Sequence, residues 1–204
     1  MILVLDTSHF SHPINWAEAK AAGVVAMYTK ISQGLGFVDP TGHSHVDAAQ
    51  AQGVLASGYH FLNCVQDGKE QAEFYLKCVA GKKFDFPHVL DWEDGSVNGA
   101  SSQRQIACAQ DWLDTVEAAT GKQPIIYSGA SFMSEIKLPA SFAKYHVILA
   151  RYGAHPGSVA PWGTNILGWQ FSESYKCAGL APGSTVDANY FYITAEELKA
   201  LGAA

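Results

Sequence analysis

The chain has 204 residues, with 19 Asp plus Glu against 13 Lys plus Arg, a formal charge of −6 when its eight histidines are neutral. That balance argues against a nucleic-acid or anionic-membrane partner, and 48% hydrophobic with only 16% charged residues argues against a disordered chain. At this size folding buries roughly 70% of the unfolded surface, so the core requires neither metal nor disulfide.

Met1–Leu5 is apolar but stops at Asp6, and no run approaches the roughly 18 residues that cross a bilayer. The start lacks a charged n-region, a long apolar stretch and a cleavage site, so neither membrane insertion nor a signal peptide is expected. In chain order, Ile2–Asp6 reads as a strand and Trp16–Ala22 as a helix closed by Gly23. The strand Val24–Ile31 precedes a helix over Val46–Gln52 closed by Gly53. The strand Val54–Leu62 precedes a helix over Lys69–Val79, with Gly81 after it. The strand His88–Glu93 then leads to a helix over Gln103–Thr120 closed by Gly121. Strands at Pro124–Ser128, Val147–Tyr152, Ile166–Phe171 and Val186–Tyr190 follow, with little room for helices between Tyr152 and Val186. A Thr-x-x-Glu capping box, Thr194 and Glu197, opens a closing helix over Thr194–Leu201.

Alternating strands and helices imply right-handed crossovers and a parallel sheet, and eight strands favour a closed barrel over an open sheet. A regular eight-fold barrel takes about 250 residues. The fold class is therefore α/β, an irregular TIM-like barrel with helices reduced or missing in the C-terminal half. No internal linker appears, so residues 1–204 read as one domain without a separate second module.

In such a barrel ligands sit at the C-terminal ends of the strands. Asp6, Asp91 with Glu93, and Asp187 end three of the apolar runs. Tyr28, Tyr59 with Phe61, Tyr127, Tyr152 and Trp169 mark the ends of others, with Trp92 between the two central acids. Strand alternation puts Asp91 and Glu93 on one face, about 6.5–7 Å apart at their Cα atoms. Two carboxylates so placed repel, so one holds a proton near neutral pH, as a general acid must. Glu93, farther out and longer, is the candidate acid, and Asp91 is expected to stay charged. Acids amid aromatic walls fit glycoside hydrolysis, because rings stack on sugars while carboxylates protonate the leaving oxygen.

Read in order, several segments are similar to the glycoside hydrolase family 25 lysozymes, the Chalaropsis-type muramidases. They are Asp6-Thr7-Ser8, Ile14-Asn15-Trp16, Tyr28-Thr29-Lys30, Gly58-Tyr59-His60-Phe61, Leu90-Asp91-Trp92-Glu93, Pro124 to Ser128, Ala150-Arg151-Tyr152, Gly168 to Phe171 and Val186 to Asn189. The resemblance implies a flattened, irregular β/α barrel. It also implies cleavage of the β-1,4 bond between N-acetylmuramic acid and N-acetylglucosamine in bacterial peptidoglycan, outside the cell or at the wall. By the same resemblance Glu93 is the catalytic acid and Asp91 its partner carboxylate, with Asp6 and Asp187 completing the acidic cluster. The substrate would rest on Tyr59, Phe61, Trp92, Tyr127, Tyr152 and Trp169. The arrangement resembles substrate-assisted hydrolases, in which the sugar's own acetamido oxygen attacks the anomeric carbon. Ile31-Ser32-Gln33-Gly34 departs from the family's acidic Thr-Glu-Gly, and Trp16 has two open placements, the cleft or the seam between the first helix and the barrel.

Other chemistries fit less well. His9, His12, His43 and His45 match no standard zinc spacing, and the four cysteines, which read as buried thiols, form no C-x-x-C pair. Neither a metal nor a cofactor is expected, and a monomer is. A non-catalytic carbohydrate-binding barrel and a hydrolase of chitin-like polymers are the alternatives.

Overall fold

The structure is a computed structural model that describes residues 1–11 and 13–203; His12 and Ala204 lie outside the described residues. Nine strands form one sheet. They are β1 (Ile2–Thr7), β2 (Val24–Gln33), β3 (Phe37–Val38), β4 (Leu55–Phe61), β5 (Val89–Asp91), β6 (Ile125–Gly129), β7 (Val147–Ala150), β8 (Gly168–Tyr175) and β9 (Val186–Phe191). Their order is β1-β9-β8-β7-β6-β5-β4-β2-β3, and β1 also pairs with β2. That pairing closes eight strands into a barrel, with β3 a short antiparallel flap on β2.

The helices are α1 (Trp16–Ala21), α2 (Gly42–Ala51), α3 (Gly68–Val79), α4 (Ser102–Thr120), α5 (Ala130–Ile136) and α6 (Ala195–Gly202). Local chemistry sets their ends. Asn15, Asp67 and Ser101 cap α1, α3 and α4 by accepting the backbone N–H three residues on. Gly121 closes α4 at φ 69°, the left-handed turn that glycine adopts without a Cβ clash. The capping box before α6 is present in both directions, Thr194 N–H to Glu197 Oε2 at 2.7 Å and Glu197 N–H to Thr194 Oγ1 at 3.2 Å.

The expected thinning of helices holds, since β7, β8 and β9 follow one another with no α-helix between them. Two small elements have no strong sequence signal. The two-residue β3 is too short for periodicity, and α5 begins directly where β6 stops. The all-parallel expectation needs one correction: β9 runs antiparallel to both β8 and β1. Residues 176–185 alone join β8 to β9, too short a connection for the crossover that parallel neighbours need, whereas residues 151–167 carry the chain from β7 back to a parallel β8.

Three apolar clusters hold the layers. Trp16, 2% exposed, locks α1 and α2 onto the outside of β1, β2 and β9 with Leu5, Met27 and Val46. Trp112, Tyr75 and Trp92 anchor α3 and α4 on the opposite flank. The barrel interior is filled by Val4, Ala26, Leu55, Val89, Ile125, Ile148 and Phe191, and Phe86 with Leu198 of α6 packs in the same cluster.

Candidate active site

The lower barrel is apolar, so the question is what stands at the upper ends of the same inward-facing rows. On β1 the row continues to Asp6, on β2 to Tyr28 and Lys30, on β4 to Tyr59 and Phe61, on β5 to Asp91 and on β6 to Tyr127. Beyond β5 the backbone stays extended. Leu62 N–H donates to Asp91 O at 2.9 Å, Trp92 N–H to Tyr127 O at 3.0 Å, and Glu93 has φ −144° and ψ −175°. Glu93 therefore returns to the Asp91 side of the chain, and its backbone N–H is tied to Ser96 Oγ at 3.1 Å.

The same alternation corrects two tryptophans. Trp92 turns away from the mouth and is fully buried, with ring centroids 6.1 Å from Phe132 and 6.2 Å from Phe142. Trp169 shares its strand with inward-facing Gln170 and so stands on the outside, its indole N–H donating to Arg151 O at 2.9 Å. Neither reaches the cleft. Sequence reading placed them there by proximity to strand ends, and a period of two overrides proximity.

Asp187 reaches the mouth by a different route from the other acids. Because β9 runs downwards, Asp187 lies near its beginning and pairs in register with Asp6. A cavity of about 220 Å³ opens between them, lined also by Ser8, Phe10 and Tyr59. Gln170 organises the adjoining wall: its Oε1 accepts Tyr127 OH at 2.8 Å and Tyr152 OH at 3.0 Å, while its Nε2 donates to Asp6 Oδ2 at 3.3 Å. Tyr28 OH donates to Asn189 Oδ1 at 3.1 Å beneath them. Asp6, Asp91, Glu93 and Asp187 are thus close enough to act on one another's charge. Of the expected aromatic residues, Tyr59, Phe61, Tyr127 and Tyr152 belong to this mouth.

Sequence reading gave Lys30 no place in the site. Its side chain is 7% exposed, with Nζ 4.6 Å from the Phe61 ring centroid and 2.6 Å from Gln33 Oε1. Burial lowers its pKa and Asp91 opposes that drop, followed by Asp39 and Glu93. The available signal was parity: Lys30 lies two residues beyond inward-facing Tyr28. It supplies a buried cation to a cluster of four acids.

Burial raises every acid of the cluster. Asp6 is raised well above the usual carboxylate range by burial and then by Asp187, and Asp91 likewise by burial and then by Glu93. Glu93 is raised by burial and Asp94, with Lys30 opposing. Asp187 is pushed up to about 6 by burial and the nearby Glu173. Burial and then Glu93 push Asp91 towards its neutral form, so the expectation that Asp91 stays charged holds only once a donor faces its carboxylate.

A linkage prediction follows for Asp187. An acid whose folded pKa exceeds its unfolded value weakens the fold as pH rises through the interval between the two, here from about 4 to about 6. Asp187→Asn removes that penalty. Its gain in thermal midpoint over wild type should be larger at pH 7.5 than at pH 5, by a difference on the order of 1 kcal/mol or roughly 3 °C. Comparing melting curves of the two proteins at both pH values checks this and cancels the opposite trend of buried His60 and His88, which burial lowers to about 3 and about 4. An equal gain at both pH values would refute it.

His9 Nδ1 lies 2.7 Å from Asp39 Oδ2 and His45 is buried edge-on to Trp16, so both have structural partners. No group of three or more His, Cys, Asp or Glu able to hold a metal occurs among the described residues. No helix is long and apolar enough to cross a membrane.

A closed β/α barrel whose mouth gathers carboxylates, tyrosines and one buried lysine defines a carbohydrate-cleaving hydrolase. The chain belongs to the glycosyl hydrolases family 25, whose profile matches residues 5–180. It is 30% identical to protein YegX of Escherichia coli K12 over 96% of this chain and 71% of that protein. It is 27% identical to the N,O-diacetylmuramidase of Chalaropsis sp. over 85% of this chain and 89% of the relative. The solved family GH25 lysozyme of Aspergillus fumigatus superposes with a TM-score of 0.84 at 25% identity, covering 100% of this chain and 99% of that one.

Proposed function

We propose that this lysozyme-family enzyme hydrolyses the β-1,4 bond between N-acetylmuramic acid and N-acetylglucosamine in bacterial peptidoglycan, acting as a monomer outside the cell membrane. The observation that carries the reading is the Asp91–Glu93 pair on one side of an extended strand, with Asp91 Oδ1 buried and lacking any hydrogen-bond partner. A buried carboxylate oxygen without a donor is an acceptor awaiting one, and the acetamido N–H of an amino sugar supplies it.

The steps follow from that placement. Glu93, protonated, gives its proton to the glycosidic oxygen as the bond to the anomeric carbon breaks. The acetamido carbonyl oxygen attacks that carbon to form an oxazoline, and Asp91 accepts the amide N–H and steadies the positive charge. Water then attacks the anomeric carbon and opens the oxazoline, giving its proton to Glu93, which regains the acid form, and the anomeric configuration is retained. Substrate also resolves the protonation of the pair: a hydrogen bond from the amide to Asp91 favours its charged form, which leaves the proton to Glu93. Tyr59, Phe61, Tyr127 and Tyr152 offer rings to the sugar faces.

Mass spectrometry of fragments released from purified peptidoglycan tests the bond cut. N-acetylmuramic acid at the new reducing ends is the expected product. N-acetylglucosamine there would replace this reading with a glucosaminidase.

A further inference from the structure

Outside the barrel, where no α-helix follows β7 or β8, aromatic rings take a helix's place. Starting from Tyr175, the last residue of β8, they run Tyr175 to Phe171 at 5.7 Å between centroids, Phe171 to Trp169 at 5.8 Å, Trp169 to His155 at 5.6 Å and His155 to Tyr192 at 5.8 Å. Tyr190 stacks on Phe171 at 4.5 Å and 16°. The row is open to solvent along its length: His155 and Tyr192 are exposed, Tyr192 by 38%, and the other four rings are half-buried. Sheet packing accounts for Trp169, Phe171 and Tyr175, which rest on the buried clusters beneath them, and for Tyr190, paired in register with Trp169. It does not account for the exposed end, where His155 and Tyr192 border a cavity of about 520 Å³ with Thr164, Asn165 and His146.

The chemistry of that cavity selects its ligand. Among the described residues no Asp, Glu, Lys or Arg lines it, whereas the cavity at the mouth is lined by Asp6 and Asp187. Burial lowers the pKa of His146, so that ring is neutral too. Aromatic faces beside amide and hydroxyl groups, without charge, match a sugar, whose C–H faces stack and whose hydroxyls exchange hydrogen bonds. The row starts near the mouth at Tyr175, the last residue of β8, and runs down the outer face of β8 and β9 to the cavity, which stands at the starts of β7 and β8 and the end of β9, away from the acids.

We propose that the Tyr175–Phe171–Trp169–His155–Tyr192 row and its cavity form a second glycan site, which holds a stretch of uncharged amino-sugar chain outside the catalytic cleft. The site rests on the proposed function in one respect, that the polymer handled is a chain of N-acetylated amino sugars. It anchors the enzyme on insoluble wall and adds nothing to the cutting of short chains.

The test separates anchoring from cutting. In a Glu93→Gln background, the His155→Ala/Tyr192→Ala variant should pellet with purified insoluble peptidoglycan roughly tenfold more weakly than the parent. With Glu93 intact, the same pair should cut short soluble peptidoglycan fragments within about twofold of the wild-type rate. Unchanged pelleting, or equal losses on soluble and insoluble substrate, overturns the proposal. A titration that needs no variant guards against misfolding: an N-acetylglucosamine tetramer added to the wild-type chain should shift the Trp169 indole N–H resonance, and a resonance that stays fixed at saturation overturns the site. Failure of the proposed function would instead appear as wild-type protein releasing no fragments, a result independent of pelleting and titration.

Discussion

Glu93→Gln should reduce the rate of wall clearing by about three orders of magnitude, within the range expected when a general acid is lost. Glutamine preserves the shape and removes the transferable proton. Glu93 is half-buried at the rim, and its fixed contact is through the backbone N–H to Ser96, which the substitution leaves intact. Burial and the neighbouring Asp94 also disfavour its charged form. The variant should therefore melt at or slightly above the wild-type temperature, so that loss of clearing with an undiminished midpoint locates the defect in chemistry. Wild-type clearing by a folded variant would remove Glu93 from the role of general acid and assign the proton to another group.

The second large effect is expected at Asp91. Asp91→Asn keeps an oxygen that can accept the acetamido N–H but removes the negative charge that steadies the positive oxazoline. The loss should be about 10²–10³ in kcat, from an electrostatic contribution made chiefly in the transition state. Stability should move the other way, because a carboxyl that burial and Glu93 disfavour in its charged form has been replaced by a neutral group. The linked stereochemical result is decisive: NMR of the first product formed by wild-type enzyme should show the retained anomer. An inverted anomer would remove the oxazoline and make Asp91 a base for water instead.

Much of this arrangement could be read in the amino-acid sequence, and each miss has its own physical cause. The runs ending at Asp6 and Asp91 announce both a strand and its chemistry, because an apolar row that stops at a carboxylate has little to do but face a cleft. Trp92 and Trp169 were misplaced because side-chain parity was applied to the acids and not to the rings beside them. Lys30 was undervalued because a lone lysine usually marks solvent, and only the closed barrel shows it to be 7% exposed. Asp187 was placed at the mouth for an incomplete reason, since the direction of β9 depends on the missing crossover and not on anything within Val186–Phe191. The exposed row from Tyr175 to Tyr192 joins β8, β9 and the loop between β7 and β8, and such long-range neighbours leave no local pattern.

Val4, Ala26, Leu55, Val89, Ile125 and Ile148 fill the barrel below the acids, with Phe86 and Leu198 in the same cluster. The polar side chains that share this interior are already engaged, Ser57 with the carbonyls of Phe86 and Pro87, and Asn189 with Tyr28 and the carbonyl of Val4. Shortening one of the apolar side chains would open a void under the acids and let the floor of the cleft settle, so the spacing of the carboxylates depends on residues that touch no sugar.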